Sequence, residues 1–228
     1  MGATREHYVP ALGLSALTRF YDPVIRATLR EREFKEALVR QAGLQPGHRV
    51  LDVGAGTGTL TLMLKRAEPA AEVVGVDGDP SILALARAKG GEIGLAVAFD
   101  QGMAYALPYP DGSFDRVVSS LVLHHLSPED KRRALREAHR VLRPGGELHV
   151  ADWGRAQNVL MRTLFLGVQL LDGVARTAEH VAGRLPDIFR ECGFVAVDET
   201  CSFATIFGTL TLYRGTRPPQ PREARERH

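Results

Sequence analysis

Residues 50–60, VLDVGAGTGTL, decide how the chain is read. A run of apolar, strand-like residues enters three glycines, Gly54, Gly56 and Gly58, and leaves in the helical pattern of TLTLMLKRA. The spacing is not the dinucleotide fingerprint G-x-G-x-x-G, because Thr59 stands where the last glycine belongs. Glycines at such a turn let the backbone approach a ligand and take positive φ. The first amides of the following helix favour an anionic group such as a carboxylate.

Working outward, valine-rich runs of strand length alternate with helical patterns. The strands predicted are RVLDV (49–53), EVVGVD (72–77), LAVAFD (95–100), FDRVVSS (114–120) and GELHVAD (146–152). Their nearly continuous apolar character predicts a parallel sheet covered on both faces. Asp79-Pro80 and Ser127-Pro128 supply N-caps and N1 prolines for the helices of SILALARAK and KRRALREAHRVL. Pro144-Gly145-Gly146 is the expected stop of the second. The β-α alternation predicts a doubly wound α/β fold, with ligands at the carboxyl ends of the strands. Asp77, at the end of the second strand, is placed to hold both hydroxyls of a ribose.

Four motifs in order, VLDVGAGTG, VVGVDGDP, ALPYPDGSFDRVVSSLVLHHL and VLRPGGELHVADW, resemble those of class I S-adenosylmethionine-dependent methyltransferases. Within that class the chain is most similar to the small-molecule group that includes the ubiquinone/menaquinone C-methyltransferases. The resemblance covers residues 45–152 strongly and runs on loosely to 214. It implies a Rossmann-like, doubly wound sheet of seven strands, mostly parallel with an antiparallel last strand. The 195–206 and 209–214 runs, joined near Gly208, suit its end.

The same resemblance implies S-adenosyl-L-methionine as cofactor, with S-adenosyl-L-homocysteine as product. The loop residues Gly54, Ala55, Gly56, Thr57 and Gly58 would receive the methionyl end, with Asp52 orienting the loop. Asp77 and Gly78 would lie at the ribose, and Ser120 and Leu121 beside the methionyl end. Many relatives carry Gly-Asp-Ala before the Leu-Pro, where this chain has Gly102-Met103-Ala104. Adenine recognition is therefore expected from Met103 packing and the Ala104 amide, with Asp100 as a substitute acceptor.

Methyl transfer needs alignment and a dry pocket, and some acceptors also need a base. His124 and His125, just past the fourth strand, are the candidates; shaping the pocket is their other reading. Tyr21, Asp152, Trp153, Leu164 and Val168 are the pocket candidates. Residues 155–176 read as one inserted helix over the site, with Leu160, Leu164, Val168 and Leu171 on one face. With Phe165 they would line an apolar pocket, so a lipophilic, aromatic or quinone-like small molecule is the expected acceptor.

The expected organisation is an N-terminal helical cap (1–44), a methyltransferase domain (45–214) and a disordered tail (215–228) rich in proline and arginine. A net charge of +2 with mixed signs gives no ground for nucleic-acid binding. MGATREHYVP lacks a signal-peptide core, and two cysteines without metal spacing read as reduced thiols, so a cytoplasmic protein without a metal site is expected. Three alternatives stay open: a phospholipid N-methyltransferase in peripheral contact with a membrane, a nicotinamide-dependent dehydrogenase, and a non-catalytic cofactor-binding module. The oligomeric state is not readable.

Overall fold

The structure is a computed structural model that describes residues 30–220. Seven strands form one sheet in the order β3-β2-β1-β4-β5-β7-β6. They are β1 (Arg49–Val53), β2 (Glu72–Asp77), β3 (Ala98–Gln101), β4 (Phe114–Ser120), β5 (Leu142–Trp153), β6 (Val195–Thr205) and β7 (Gly208–Thr216). β1 to β5 pair in parallel, while β7 runs antiparallel to both β5 and β6. This is the mostly parallel, Rossmann-like sheet with an antiparallel last strand that the sequence implied. The helices are α1 (Glu31–Ala42), α2 (Thr59–Ala67), α3 (Pro80–Glu92), α4 (Pro128–Val141), α5 (Val159–Asp172), α6 (Val174–Val181) and α7 (Leu185–Glu191).

Two apolar layers sandwich the sheet. On one face, Leu135 and Ala138 of α4 and Ile188 and Phe189 of α7 pack on Val117, Leu148 and Tyr213. On the other, Phe34 and Leu38 of α1, Leu60 and Leu64 of α2, and Phe165 and Val168 of α5 pack on Val118, Ala151 and Leu210. The chain winds from β1 out to β3 and then crosses back to β4, so the switch of direction lies between β1 and β4.

The capping signals act as read. Asp79 accepts the Ser81 N–H at 2.8 Å, and Ser127 Oγ accepts the Asp130 N–H at 3.1 Å. α4, however, stops at Val141, ahead of Pro144-Gly145-Gly146, and β5 starts at Leu142. The residue before a proline disfavours helix, and residues 143–146 are taken up in a register shift against β4. The third strand is shorter than its apolar run, beginning at Ala98. β7 runs to Thr216, and Arg217 donates to the His139 and Arg140 carbonyls at the end of α4.

The inserted segment departs most from expectation. It is two helices, broken at Gly173, whose φ of +92° no L-residue takes easily. Its buried side carries Met161, Phe165, Val168 and Gln169, whereas Leu160 points to solvent. Of the expected face, Val168 is buried and Leu164 half-buried, but Leu160 is not: α5 is apolar on nearly every side, and periodicity alone could not say which side the β5–β7 surface would choose.

Candidate active site

The carboxyl ends of β1, β2, β4 and β5 bring most of the predicted residues into one crevice. Gly54, Gly56 and Gly58 all have positive φ. A Cβ on Gly54 would come within 2.2 Å of Val122 Cγ2, so the glycine loop lies directly against the chain leaving β4. A Cβ on Gly56 would meet nothing, which makes Gly56 the open face of the loop. The Gly54 and Ala55 amides donate to the Val76 carbonyl at 2.8 and 3.0 Å.

Asp77 clasps the loop. Its Oδ2 accepts the Gly56 N–H at 2.9 Å and its Oδ1 the Asp79 N–H at 3.0 Å. A carboxylate accepts about four hydrogen bonds, so Asp77 retains capacity for a ligand hydroxyl. Burial raises the Asp77 pKa against the Asp79, Gly56 and Gly78 amides. Asp52 is buried and accepts from Thr61 Oγ1 at 2.7 Å, which ties β1 to the first turn of α2. Burial pushes the Asp52 pKa up to about 6. α2 has no acidic residue of its own in its first turn, and Asp52 from β1 is the carboxylate that faces it.

Gly78 directly follows Asp77 at the end of β2, and Met103 and Ala104 lie on the chain leaving β3. The Gly102 N–H donates to the Asp77 carbonyl at 3.0 Å, and the Met103 carbonyl accepts the Ala106 N–H at 2.9 Å. Ala104 lines a small apolar cavity with Val53, Val122 and Leu123. Asp100 accepts from the Tyr109 hydroxyl at 3.0 Å. Ser120 ends β4, and its Oγ is buried without a partner among the described residues. Leu121 follows at φ +58°, its N–H donating to the Ala151 carbonyl at 2.8 Å. Such a conformation costs a non-glycine residue of order 1–3 kcal/mol and tends to mark functional sites.

The most ordered polar group of the site centres on Asp152. Its Oδ2 accepts the Leu123 N–H at 2.8 Å, and its Oδ1 accepts the Trp153 N–H at 2.7 Å. His124 Nδ1 lies 2.7 Å from the same Oδ1. Burial opposes the charge on Asp152, but His124 and His180 hold its pKa well below the usual carboxylate range. The carboxylate therefore only accepts, and His124 Nδ1 donates to it. The His125 ring sits 3.9 Å from that of His124, tilted by 44°.

His180, from α6, was not singled out in the sequence. It is fully buried, 3.9 Å from Asp152, and its Nδ1 donates to the Trp153 carbonyl at 2.8 Å. Burial lowers its pKa to about 4, so it is neutral at pH 7. A single histidine 56 residues from His124 carries no spacing signal, since only the fold brings them together. Trp153 and Val168 are buried, Leu164 is half-buried, and Phe165 meets Trp153 edge-on at 5.5 Å. Tyr21 lies outside the described residues.

These residues suit the expected cofactor: a glycine loop open at Gly56, a paired carboxylate with spare capacity, and the unpartnered Ser120 hydroxyl between them and the acceptor side. Residues 50–146 match the family model for a methyltransferase domain. The chain is 48% identical over 105 residues to a demethylmenaquinone methyltransferase of Thermus thermophilus, covering 46% of this chain and 47% of that one. It is 36% identical over 137 residues to a ubiquinone/menaquinone biosynthesis C-methyltransferase of a Shewanella species, covering 59% and 54%. The chain thus spans about half the length of the curated relatives it matches. The fold is similar to that of the YcgJ protein from Bacillus subtilis, with a TM-score of 0.67 at 22% identity over 82% of this chain and 99% of that one. Sheet order, motif order and family match converge: residues 50–146 carry a methyltransferase domain of the class I, S-adenosylmethionine-dependent kind, and the chain is similar to the ubiquinone/menaquinone C-methyltransferases.

Proposed function

We propose that the protein transfers a methyl group from S-adenosyl-L-methionine to a small lipophilic acceptor, an aromatic or quinone-like compound. The observation that carries the reading is the buried His124–Asp152 pair, 2.7 Å apart, beside the glycine loop. The cofactor supplies an activated methyl group, so the protein has to align, desolvate and manage one proton. In this reading the open Gly56 side of the Gly54–Gly58 loop receives the amino-acid end, and Asp77 receives the ribose hydroxyls. Met103 packs on the purine. Asp152 fixes the His124 tautomer, so that Nε2 takes the proton from the acceptor's hydroxyl, or from the ring carbon once alkylated. Trp153, Phe165 and Val168 supply an apolar wall that keeps water out. The relatives named for quinone methylation support an acceptor of that kind.

Calorimetry with S-adenosylhomocysteine, followed by methyl transfer to a panel of naphthols, naphthoquinols and amines, tests the reading. Cofactor binding with transfer only to short, highly charged acceptors would overturn the lipophilic assignment. Binding without transfer to any acceptor would leave a non-catalytic module.

A second reading has its own observation. Val159, Leu160, Leu166 and Leu170 of α5 are exposed, which suits a phospholipid N-methyltransferase working at a bilayer surface. Among the described residues no helix is long and apolar enough to cross a membrane. Transfer to phosphatidylethanolamine in vesicles, absent with naphthols, would favour this second reading.

A further inference from the structure

The proposed reaction makes no use of one polar atom in the wall of the site. The indole Nε1 of Trp153 is closed to solvent, in a residue only 4% exposed, and it has no hydrogen-bond partner among the described residues. An indole N–H donates and cannot accept. A buried donor left unmet is costly, and native structures seldom keep one without a reason.

The indole is also held in place. The Trp153 N–H donates to Asp152 Oδ1 at 2.7 Å, and the Trp153 carbonyl accepts from His180 Nδ1 at 2.8 Å, so both sides of its main chain are bound. Its ring meets His124 at 6.1 Å and Phe165 at 5.5 Å, both near edge-on. Ser120 pairs with Ala151, two residues before Trp153, and therefore faces the same side of the sheet. Its hydroxyl and His180 Nε2 are also buried without a partner among the described residues. Asp152 orients the imidazole, and the very next residue carries the orphan donor.

We propose that Trp153 Nε1–H donates a hydrogen bond to an oxygen atom of the methyl acceptor, holding it beside His124. The inference rests on the lipophilic-acceptor reading above and narrows it to oxygenated aromatics, such as phenols, quinols and hydroxyquinones. Aromatic hydrocarbons and arylamines without such an oxygen leave the donor unmet and are selected against. Phe165 meets the indole edge-on at 5.5 Å and borders the place where the acceptor would lie.

The chain contains one tryptophan, so a single indole cross-peak in a 15N–1H spectrum reports on this atom alone. The protein, saturated with S-adenosylhomocysteine, is titrated with 2-hydroxy-1,4-naphthoquinone and in parallel with 2-methylnaphthalene. The same titrations are run by calorimetry on Trp153→Phe, which keeps an aromatic ring and removes the N–H. The oxygenated probe is expected to move the indole peak downfield, and the variant to weaken that probe at least tenfold while leaving the hydrocarbon within twofold. An unmoved peak with the oxygenated probe bound, or equal weakening of both probes, would overturn the assignment while the lipophilic reading stands. Failure of both probes to bind, with S-adenosylhomocysteine still bound, would overturn the lipophilic reading and this inference with it. Should Trp153→Phe not fold, the wild-type spectrum decides alone.

Discussion

Asp77 is bonded to the loop it faces: its Oδ2 accepts the Gly56 N–H at 2.9 Å. The carboxylate proposed for the ribose and the loop proposed for the methionyl end are thereby hydrogen-bonded into one unit. Asp77→Ala should raise the dissociation constant of S-adenosylhomocysteine at least tenfold, about 1.4 kcal/mol, in calorimetry. Asp77→Asn, which keeps one acceptor oxygen, should lose less. Equal affinity in all three proteins would remove Asp77 from the binding site.

Gly54 carries two constraints that can be separated. Its φ is +73°, and a Cβ there would overlap Val122 Cγ2. Gly54→Ala should cost at least about 2 kcal/mol by urea unfolding, part strain and part clash. Adding Val122→Ala should recover the clash but leave the left-handed strain, about 1–2 kcal/mol. Complete recovery in the double variant would show that the backbone conformation is not under strain.

The His124–Asp152 pair predicts a split between binding and chemistry. His124→Ala should lower methyl transfer roughly a hundredfold, the low end of general-base contributions. Its affinity for S-adenosylhomocysteine should stay within twofold. A variant with full activity would reduce His124 to a pocket-shaping residue.

Acid should weaken the fold through His180. Its folded pKa of about 4 lies below the unfolded value near 6.5, so protons bind the unfolded chain first as pH falls through that window. Stability contributed above pH 6.5 is lost toward pH 4, up to about 3 kcal/mol. Asp52 has the opposite sign. Its folded pKa of about 6 lies above the unfolded value, so its buried charge costs stability at neutral pH, and protonation below pH 6 relieves part of the loss. His180→Gln should flatten the fall in urea midpoint between pH 7 and 4.5, and Asp52→Asn should steepen it. Parallel curves for all three proteins would refute the assignment.

The two sides of α5 should respond differently to truncation. Phe165→Ala opens a hole against Trp153 and should cost about 3 kcal/mol. Leu170→Ala, on the exposed side, should stay within about 0.5 kcal/mol. Thermal unfolding of the pair checks which face is buried.

What could be read without coordinates follows from how much local contrast each segment has. β1, β2 and β4 fall at their predicted limits because each is a short apolar run bounded by glycine, proline or charge. The caps at Asp79 and Ser127 are local chemistry and were equally legible. α5 lacks contrast: leucine and valine occur all round it, so its buried face depends on a surface made by β5 and β7. His180 was invisible for a related reason. Its role rests on a contact with Trp153 that no local pattern encodes, while His124 stood out because it directly follows a strand end in a known motif.

The antiparallel strand has a consequence for how the protein is made. Asp152 lies opposite Thr211, and Trp153 opposite Leu210, across the β5–β7 ladder. On the ribosome, a nascent chain that has emerged only as far as residue 194 holds the whole glycine loop and the His124–Asp152 sequence, yet β5 is still an open edge. The cofactor half of the crevice can therefore assemble during synthesis, whereas the acceptor half waits for residues 208–216 to slide in beside β5. Until they arrive, the nascent chain exposes an unpaired strand edge that a chaperone would have reason to cover.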